Sequence, residues 1–180
     1  SLLLLGNNYE SVYRDDGSSS TFFRLASSNF TFETWCRQTS IVGTIRGLFS
    51  LSISNINGTV PSVSCYIENG IVKARVKVNS DIFPVYSIDH QTPITAATWT
   101  HVALVRSGSI ITLYVNGVAS TTTINIGSDD VYDGYRYLAI GVAHYGSSQS
   151  RSLNGYIDEF RIRKEAMYTA DFTPPIAPFT

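Results

Sequence analysis

The sequence predicts an all-β protein made of two packed antiparallel sheets. Three observations predict it. Residues 99–117 read as two apolar strands joined by Ser107-Gly108-Ser109 and closed by Asn116-Gly117. An Asn-Gly step between apolar runs is the strongest short hairpin signal, because both central residues of a type I′ turn need φ > 0. Asn57-Gly58 and Asn69-Gly70 repeat that signal. The third observation is alternation: in residues 71–78, Val72, Ala74, Val76 and Val78 fall on one face and Lys73, Arg75 and Lys77 on the other, the period of a half-buried strand. Eleven Tyr and nine Phe suit such strands, since aromatic and β-branched residues fit a pleated surface.

The elements follow in order. Leu2–Leu5 is a first apolar strand. A polar loop with Asp15-Asp16-Gly17 and three serines comes next, then a short strand over residues 22–25. Residues 29–37 alternate. Phe30, Phe32, Thr34 and Cys36 take one face, and Thr31, Glu33, Trp35 and Arg37 the other. Strands are predicted over 48–53 and 63–67, with Asn57-Gly58 between them, and over 71–78 after Asn69-Gly70. Residues 99–106, 110–115 and 118–124 form a meander. A loop rich in Gly, Asp and Tyr covers 127–135, a strand 137–142, a soft segment 146–150 and a long strand 153–162. One or two helical turns are predicted over 164–169. The prolines of the tail, Pro174, Pro175 and Pro178, forbid a central strand there. Trp35 and Trp99 are both expected to be largely buried.

At 180 residues with 43% hydrophobic side chains, the chain fits one domain spanning 1–180 with a full core. A net charge of −1 and 15% charged residues carry no electrostatic footprint for nucleic acid. The run Leu2–Leu5 is far shorter than the roughly 20 apolar residues of a spanning helix, so no membrane insertion is expected. The chain starts at Ser1 and enters an apolar strand at once, which suggests one module of a longer polypeptide. Cys36 and Cys65 both alternate with apolar neighbours and read as buried thiols. A bridge between them stays open at this level.

Three blocks in order resemble the laminin-G-like, concanavalin-A-like jelly-roll superfamily: Phe30-Thr31-Phe32-Glu33-Thr34-Trp35, then Trp99-Thr100-His101-Val102-Ala103-Leu104-Val105-Arg106 with Leu113-Tyr114-Val115-Asn116-Gly117, then residues 153–162 from Leu153 to Ile162. The ending Tyr168-Thr169-Ala170-Asp171-Phe172-Thr173-Pro174-Pro175 is similar to the close of such modules in virion proteins of tailed bacteriophages. The resemblance implies a two-sheet jelly-roll sandwich and a virion or extracellular location. It further implies attachment to host-surface carbohydrate, or a decoration or oligomerisation role against other virion proteins. A third class is a glucanase.

The glucanases of this superfamily carry a Glu-x-Asp-x-x-Glu type strand, and no such spacing occurs here. Asp158 and Glu159 are adjacent and so point to opposite faces of a regular strand; Glu33 stands alone. No Gly-x-Ser-x-Gly elbow accompanies His90, His101 or His144. The chain is therefore read as non-catalytic. Carbohydrate recognition needs an aromatic platform beside a few polar groups on loops. Tyr132, Tyr135, Arg136 and Tyr137, with His144 and Tyr145 on the next connection, offer that mix. Ca²⁺ asks for several oxygen ligands on a loop, and two clusters qualify, Asp15-Asp16-Gly17 and, as the better candidate set, Asp129, Asp130 and Asp133. The Lys73, Arg75 and Lys77 stripe reads as a solvated strand face, with an anionic glycan as the sharper alternative.

Overall fold

Two Asn-Gly turns organise the sheets. The computed structural model describes residues 1–5, 12–15, 23–41, 45–52, 61–79, 84–132, 137–145 and 149–179. Asn69 (φ 51°) and Gly70 (φ 79°), like Asn116 (φ 51°) and Gly117 (φ 79°), lie in the left-handed region, as a type I′ turn demands. The first pair joins β5 (Val63–Glu68) to β6 (Ile71–Lys77) and the second joins β9 (Ile110–Val115) to β10 (Val118–Ala119). Asn57-Gly58 lies outside the described residues.

Among the described residues, seven strands form one antiparallel sheet. Its order is β1 (Leu2–Leu5), β15 (Asn154–Arg163), β3 (Phe30–Gln38), β8 (Thr100–Ser107), β9 and β10, with β11 (Ile124–Asn125) also on β9. Six form the other sheet: β2 (Val12–Asp15), β12 (Tyr137–Ile140), β4 (Arg46–Ser52), β5, β6 and β7 (Val85–Asp89). A hairpin of β13 (Val142–Tyr145) and β14 (Gln149–Ser152) packs on β4. Gly47 permits that approach, because a Cβ there would fall on the Ala143 backbone. This is the two-sheet antiparallel jelly-roll sandwich that the sequence predicts, with no helix among the described residues.

The core lies between the sheets. Phe30, Phe32 and Cys36 of β3 join Val102 and Leu104 of β8 and Leu113 of β9. They meet Phe49, Leu51, Val63, Cys65, Val72, Ala74 and Val76 of the second sheet. The rings of Phe32 and Phe49 stack across the interface with centroids 5.3 Å apart. Burying each large apolar side chain is worth about 1.5–3 kcal/mol. Cys36 and Cys65 are buried, unbridged thiols. Burial pushes the Cys36 thiol up to about 12, and raises that of Cys65 as well.

Several elements differ from the sequence reading. Residues 23–28 form a turn with a single bridge from Ala26 to Val131, not a strand, although Phe23 and Leu25 are buried. The backbone of Ala26 at φ 41° breaks the extended run. Residues 118–124 split into β10 and β11. Ala119 pairs with Tyr114 while Ile124 pairs with Ile111, so five steps on one strand oppose three on the other and the excess bulges out. Gly141 (φ 82°) divides residues 137–142, sending β13 out of the sheet. Part of the soft segment is β14, β2 arises in a stretch read as a loop, and β7 in one given no strand.

No helix forms over 164–169, because the sheet takes those backbone groups. Thr31 Oγ1 donates to Glu165 O (2.8 Å) and accepts from Met167 N (3.0 Å). Residues 164–179 instead form a strap across the outer face of the seven-stranded sheet. Under it lies a second apolar cluster, Ala103, Val105 and Tyr114 against Ala166, Tyr168 and Phe172. The strap explains why Thr31 and Glu33, on the non-core face of β3, are fully buried. The tryptophans differ too. Trp35 is half-buried and Trp99 is 39% exposed. Trp35 points away from the core, and Trp99 precedes β8 rather than sitting within it.

Candidate functional site: an aromatic cleft beside the strap

Those of the sequence-predicted residues that the structure describes lie around the six-stranded sheet or on the hairpin packed against it. Tyr132 is half-buried; its amide donates to Lys77 O (2.9 Å), and Lys77 Nζ sits 4.6 Å from its ring centroid. Lys77 is itself fully buried, and Lys73 pairs with Glu68 (3.1 Å) and Asp89 (3.0 Å). The stripe is therefore not a solvated face. Tyr137 opens β12 opposite Ser52 and Asp15. His144 and Tyr145 belong to β13, opposite Ser150 and Gln149. Tyr135, Arg136 and Asp133 lie outside the described residues. The structure thus brings Tyr132 to Lys77 and leaves the other predicted contacts undescribed.

Of the calcium candidates, Asp129 is half-buried and Asp130 exposed. The carbonyl of Asp129 accepts from Arg106 Nη2 (3.0 Å) and that of Asp130 from the Asn79 amide (2.9 Å). The two carboxylates are the charged side-chain oxygens with which the described part of this loop could meet a cation. Among the described residues no group of three His, Cys, Asp or Glu side chains gathers at metal-binding range.

The open site is on the other sheet. Trp35, Trp99, Asp158 and Glu159 line a cleft of about 380 Å³, walled on its far side by residues 175–178 of the strap. Ligand clefts run from about 300 to 1,000 Å³. Each wall has a local cause. Trp35 projects from β3, where it pairs with Asp158 of β15. Trp99 ends a loop held to β3: the Ala97 amide donates to Gln38 O (2.7 Å) and Arg37 Nε donates to Ala97 O (2.8 Å). Tyr156 supports the indole at a centroid distance of 6.4 Å. The register of β15 against β3 shifts between Asp158 and Arg161, and Glu159 takes φ 50°. A bulge re-aims side chains that a regular strand would place on opposite faces. Asp158 and Glu159 accordingly both line this cleft, contrary to the strict alternation assumed from sequence. Asp158 Oδ1 accepts from the Glu159 amide (3.0 Å), and Glu159 Oε2 accepts from the Phe179 amide (2.7 Å).

Beneath the cleft a buried polar cluster fixes the strap. Arg161 donates to Glu33 Oε1 through Nη2 (2.7 Å) and Nε (2.9 Å), while Tyr168 OH (2.9 Å) and His101 Nε2 (3.1 Å) donate to Oε2. Burial raises the Glu33 carboxyl, but the bonds from His101, Arg161 and Tyr168 outweigh it and hold the group below its ordinary 4.5. Burial and then the bond to Glu33 push the Tyr168 phenol up to about 12. His101 is fully buried and packs edge-on to Trp35 at 5.3 Å, so it supports the floor and does not reach the cleft as a base.

The arrangement can stack the apolar face of a saturated ring on an indole and accept hydrogen bonds at carboxylates. Sequence reasoning missed it because a bulge and a strap build it. The available signal was the alternation that put Trp35 on the non-core face with Glu33.

Residues 10–171 match the laminin G family model described as the concanavalin A-like lectin/glucanases superfamily. No curated protein matches the chain by sequence. Among solved structures, the chain is similar to the CBM40 of the Ruminococcus gnavus IT-sialidase bound to α2,3-sialyllactose, at 18% identity over 80% of each chain with a TM-score of 0.64. It is also similar to the botulinum neurotoxin serotype D binding domain (14% identity, 91% of this chain and 39% of that one, TM-score 0.60). A third is the leech intramolecular trans-sialidase complexed with 2,7-anhydro-Neu5Ac (18% identity, 88% of this chain and 24% of that one, TM-score 0.68). At these identities the likeness is one of fold.

Proposed function

The chain belongs to the concanavalin A-like lectin/glucanases superfamily, and we propose that it is a non-catalytic carbohydrate-binding module whose sugar stacks in the Trp35–Trp99 cleft. One observation carries the reading: Trp99 exposes 39% of a large aromatic surface inside a cleft that also presents carboxylates. Solved structures of the same fold, the Ruminococcus gnavus IT-sialidase CBM40 bound to α2,3- and to α2,6-sialyllactose, support it. Retaining hydrolysis needs two carboxyls about 5–5.5 Å apart across the bond, one of them a raised-pKa acid. Asp158 and Glu159 are consecutive and each also accepts a bond from a backbone amide.

The finer reading places the module in a virion protein of a tailed phage, meeting host-surface glycan. The Tyr168–Pro175 ending supports it. A multivalent fibre would raise a modest single-site affinity through effective concentration.

The test is a glycan array with a multimerised chain beside its variants. Trp99→Ala is expected to weaken binding by about 2 kcal/mol, roughly 30-fold, as truncating an aromatic anchor does. Binding that survives Trp99→Ala but fails in Tyr135→Ala or Tyr145→Ala would move the site to the tyrosine loop. Silence on the array with tight binding to a virion protein would favour the decoration role. Release of reducing sugar would overturn the non-catalytic reading.

A further inference from the structure

We infer that the Trp35–Trp99 cleft selects sugars bearing a free ammonium group and rejects acidic ones. This rests on the glycan reading above and names its ligand class. The site itself is the aromatic cleft; its charge decides the ligand. The lining holds two carboxylates, Asp158 and Glu159, and no cationic side chain. Among the nearby cations, the Ser1 ammonium lies 3.5 Å from Asp158 Oδ2 and offsets part of that charge, while the two arginines are turned to other work. Arg161 is bound by its fork to Glu33 and lies over the Phe179 ring (4.2 Å to its centroid). Arg37 donates to Ala97 O and lies over the Tyr156 ring (5.7 Å).

Two contributions then act with one sign. An indole face carries the negative side of its quadrupole and attracts a cation within about 6 Å. Two carboxylates attract an ammonium and repel a carboxylate. The bulge keeps both carboxylates at the cleft. Glu159 sits at φ 50°, a conformation costly for a non-glycine residue. It is held there by the hydrogen bond its amide donates to Asp158 Oδ1 and by the one the Phe179 amide donates to its own carboxylate. A saturated ring with an ammonium substituent uses all of these at once: the ring stacks on Trp99 and the ammonium meets the carboxylates. An N-acetylated ring keeps the stacking and loses the charge. A sialylated glycan places a negative charge against two others.

The experiment titrates the full chain, by tryptophan fluorescence, with three probes: a β1,4-glucosamine tetrasaccharide, its fully N-acetylated counterpart, and 3′-sialyllactose. The amine form is expected to bind about tenfold tighter than the N-acetylated one, with sialyllactose weaker than either. The advantage is expected to shrink on adding salt. It is also expected to collapse in Asp158→Asn and Glu159→Gln, which weaken the amine form by more than the N-acetylated one and leave the two affinities about equal. That last measurement, with an unchanged melting temperature, separates lost charge from lost fold. Equal affinity for the two tetrasaccharides, or a preference for sialyllactose, with binding still lost in Trp99→Ala, would overturn the ligand class and leave the glycan reading standing. Array binding at Trp99 with none of the three probes bound would do the same. Failure of every glycan would overturn both.

Discussion

Glu33 shows how one residue changes meaning with its surroundings. A carboxylate on the non-core face of a strand is ordinarily a solvated charge. Here it is fully buried and receives bonds from Arg161, Tyr168 and His101. Removing one partner of a buried pair leaves the others uncompensated, so Glu33→Ala is expected to cost about 3–5 kcal/mol in denaturant unfolding. Linkage gives a pH signature. The Glu33 carboxyl is held below its ordinary 4.5, so its stabilisation is complete above that value and is lost as pH falls below it toward the folded value. Tyr168 behaves oppositely. Its phenol is raised from 10 to about 12, so its contribution holds below pH 10 and is lost as pH climbs toward 12. Melting temperature against pH checks both: Glu33→Gln is expected to flatten the acid limb and Tyr168→Phe the alkaline one.

The strap, residues 164–179, is the element that converts a sheet face into a site. It is latched at two places. One is Tyr168, stacked on Phe172 at a centroid distance of 3.5 Å over the buried cluster. The other is the Asn116-Gly117 turn: the Phe172 amide donates to Gly117 O (2.9 Å), and Asp171 Oδ1 accepts from the Ala119 amide (2.9 Å). Gly117 serves twice, taking φ 79° for the turn and letting the strap pass, since a Cβ there would fall 1.8 Å from Phe172 O. Gly117→Val is therefore expected to displace the strap while the sandwich persists. Limited proteolysis checks this: cleavage within 164–179 is expected to come earlier than in wild type, with far-UV circular dichroism unchanged. Phe172→Ala is expected to do likewise at about half the 3–5 kcal/mol of a fully buried Phe. Because residues 175–178 wall the cleft, either change is expected to weaken glycan binding as well.

At the scale of the whole molecule, the sandwich places its two candidate regions on different sheets. Tyr132 and the Asp129–Asp130 turn border the six-stranded sheet, through Tyr132 on Lys77 and Val131 on Val78. The tryptophan cleft lies on the outer face of the seven-stranded one. Asp129, Asp130 and Asp133 remain our proposed calcium ligands, and a ligand that binds only the folded chain stabilises all of it. Calcium at a hundredfold excess over its dissociation constant would add about 2.7 kcal/mol. Chelation is then expected to lower the melting temperature of the wild type and not of an Asp129→Ala, Asp130→Ala double variant. An identical melt with and without chelator rejects the site.

What the sequence determined by itself was whatever depends on neighbours along the chain. Asn-Gly chemistry set the turns at 69–70 and 116–117, and period-two alternation assigned Phe30, Phe32 and Cys36, with Val72, Ala74 and Val76, to the core. The superfamily was legible in three strand blocks. Alternation also put Trp35 with Glu33 on the non-core face, which the expectation of buried tryptophans overrode. Tertiary structure alone decided the rest. The burial of Glu33 depends on a strap more than 130 residues away. The convergence of Asp158 and Glu159 depends on a bulge whose register is set by β3. The exposure of Trp99 depends on how Gln38 and Arg37 tie down its loop. The physical reason is common to all three. A periodicity reports which face a side chain takes, but what covers that face is fixed by contacts between segments distant in sequence, which no local pattern encodes.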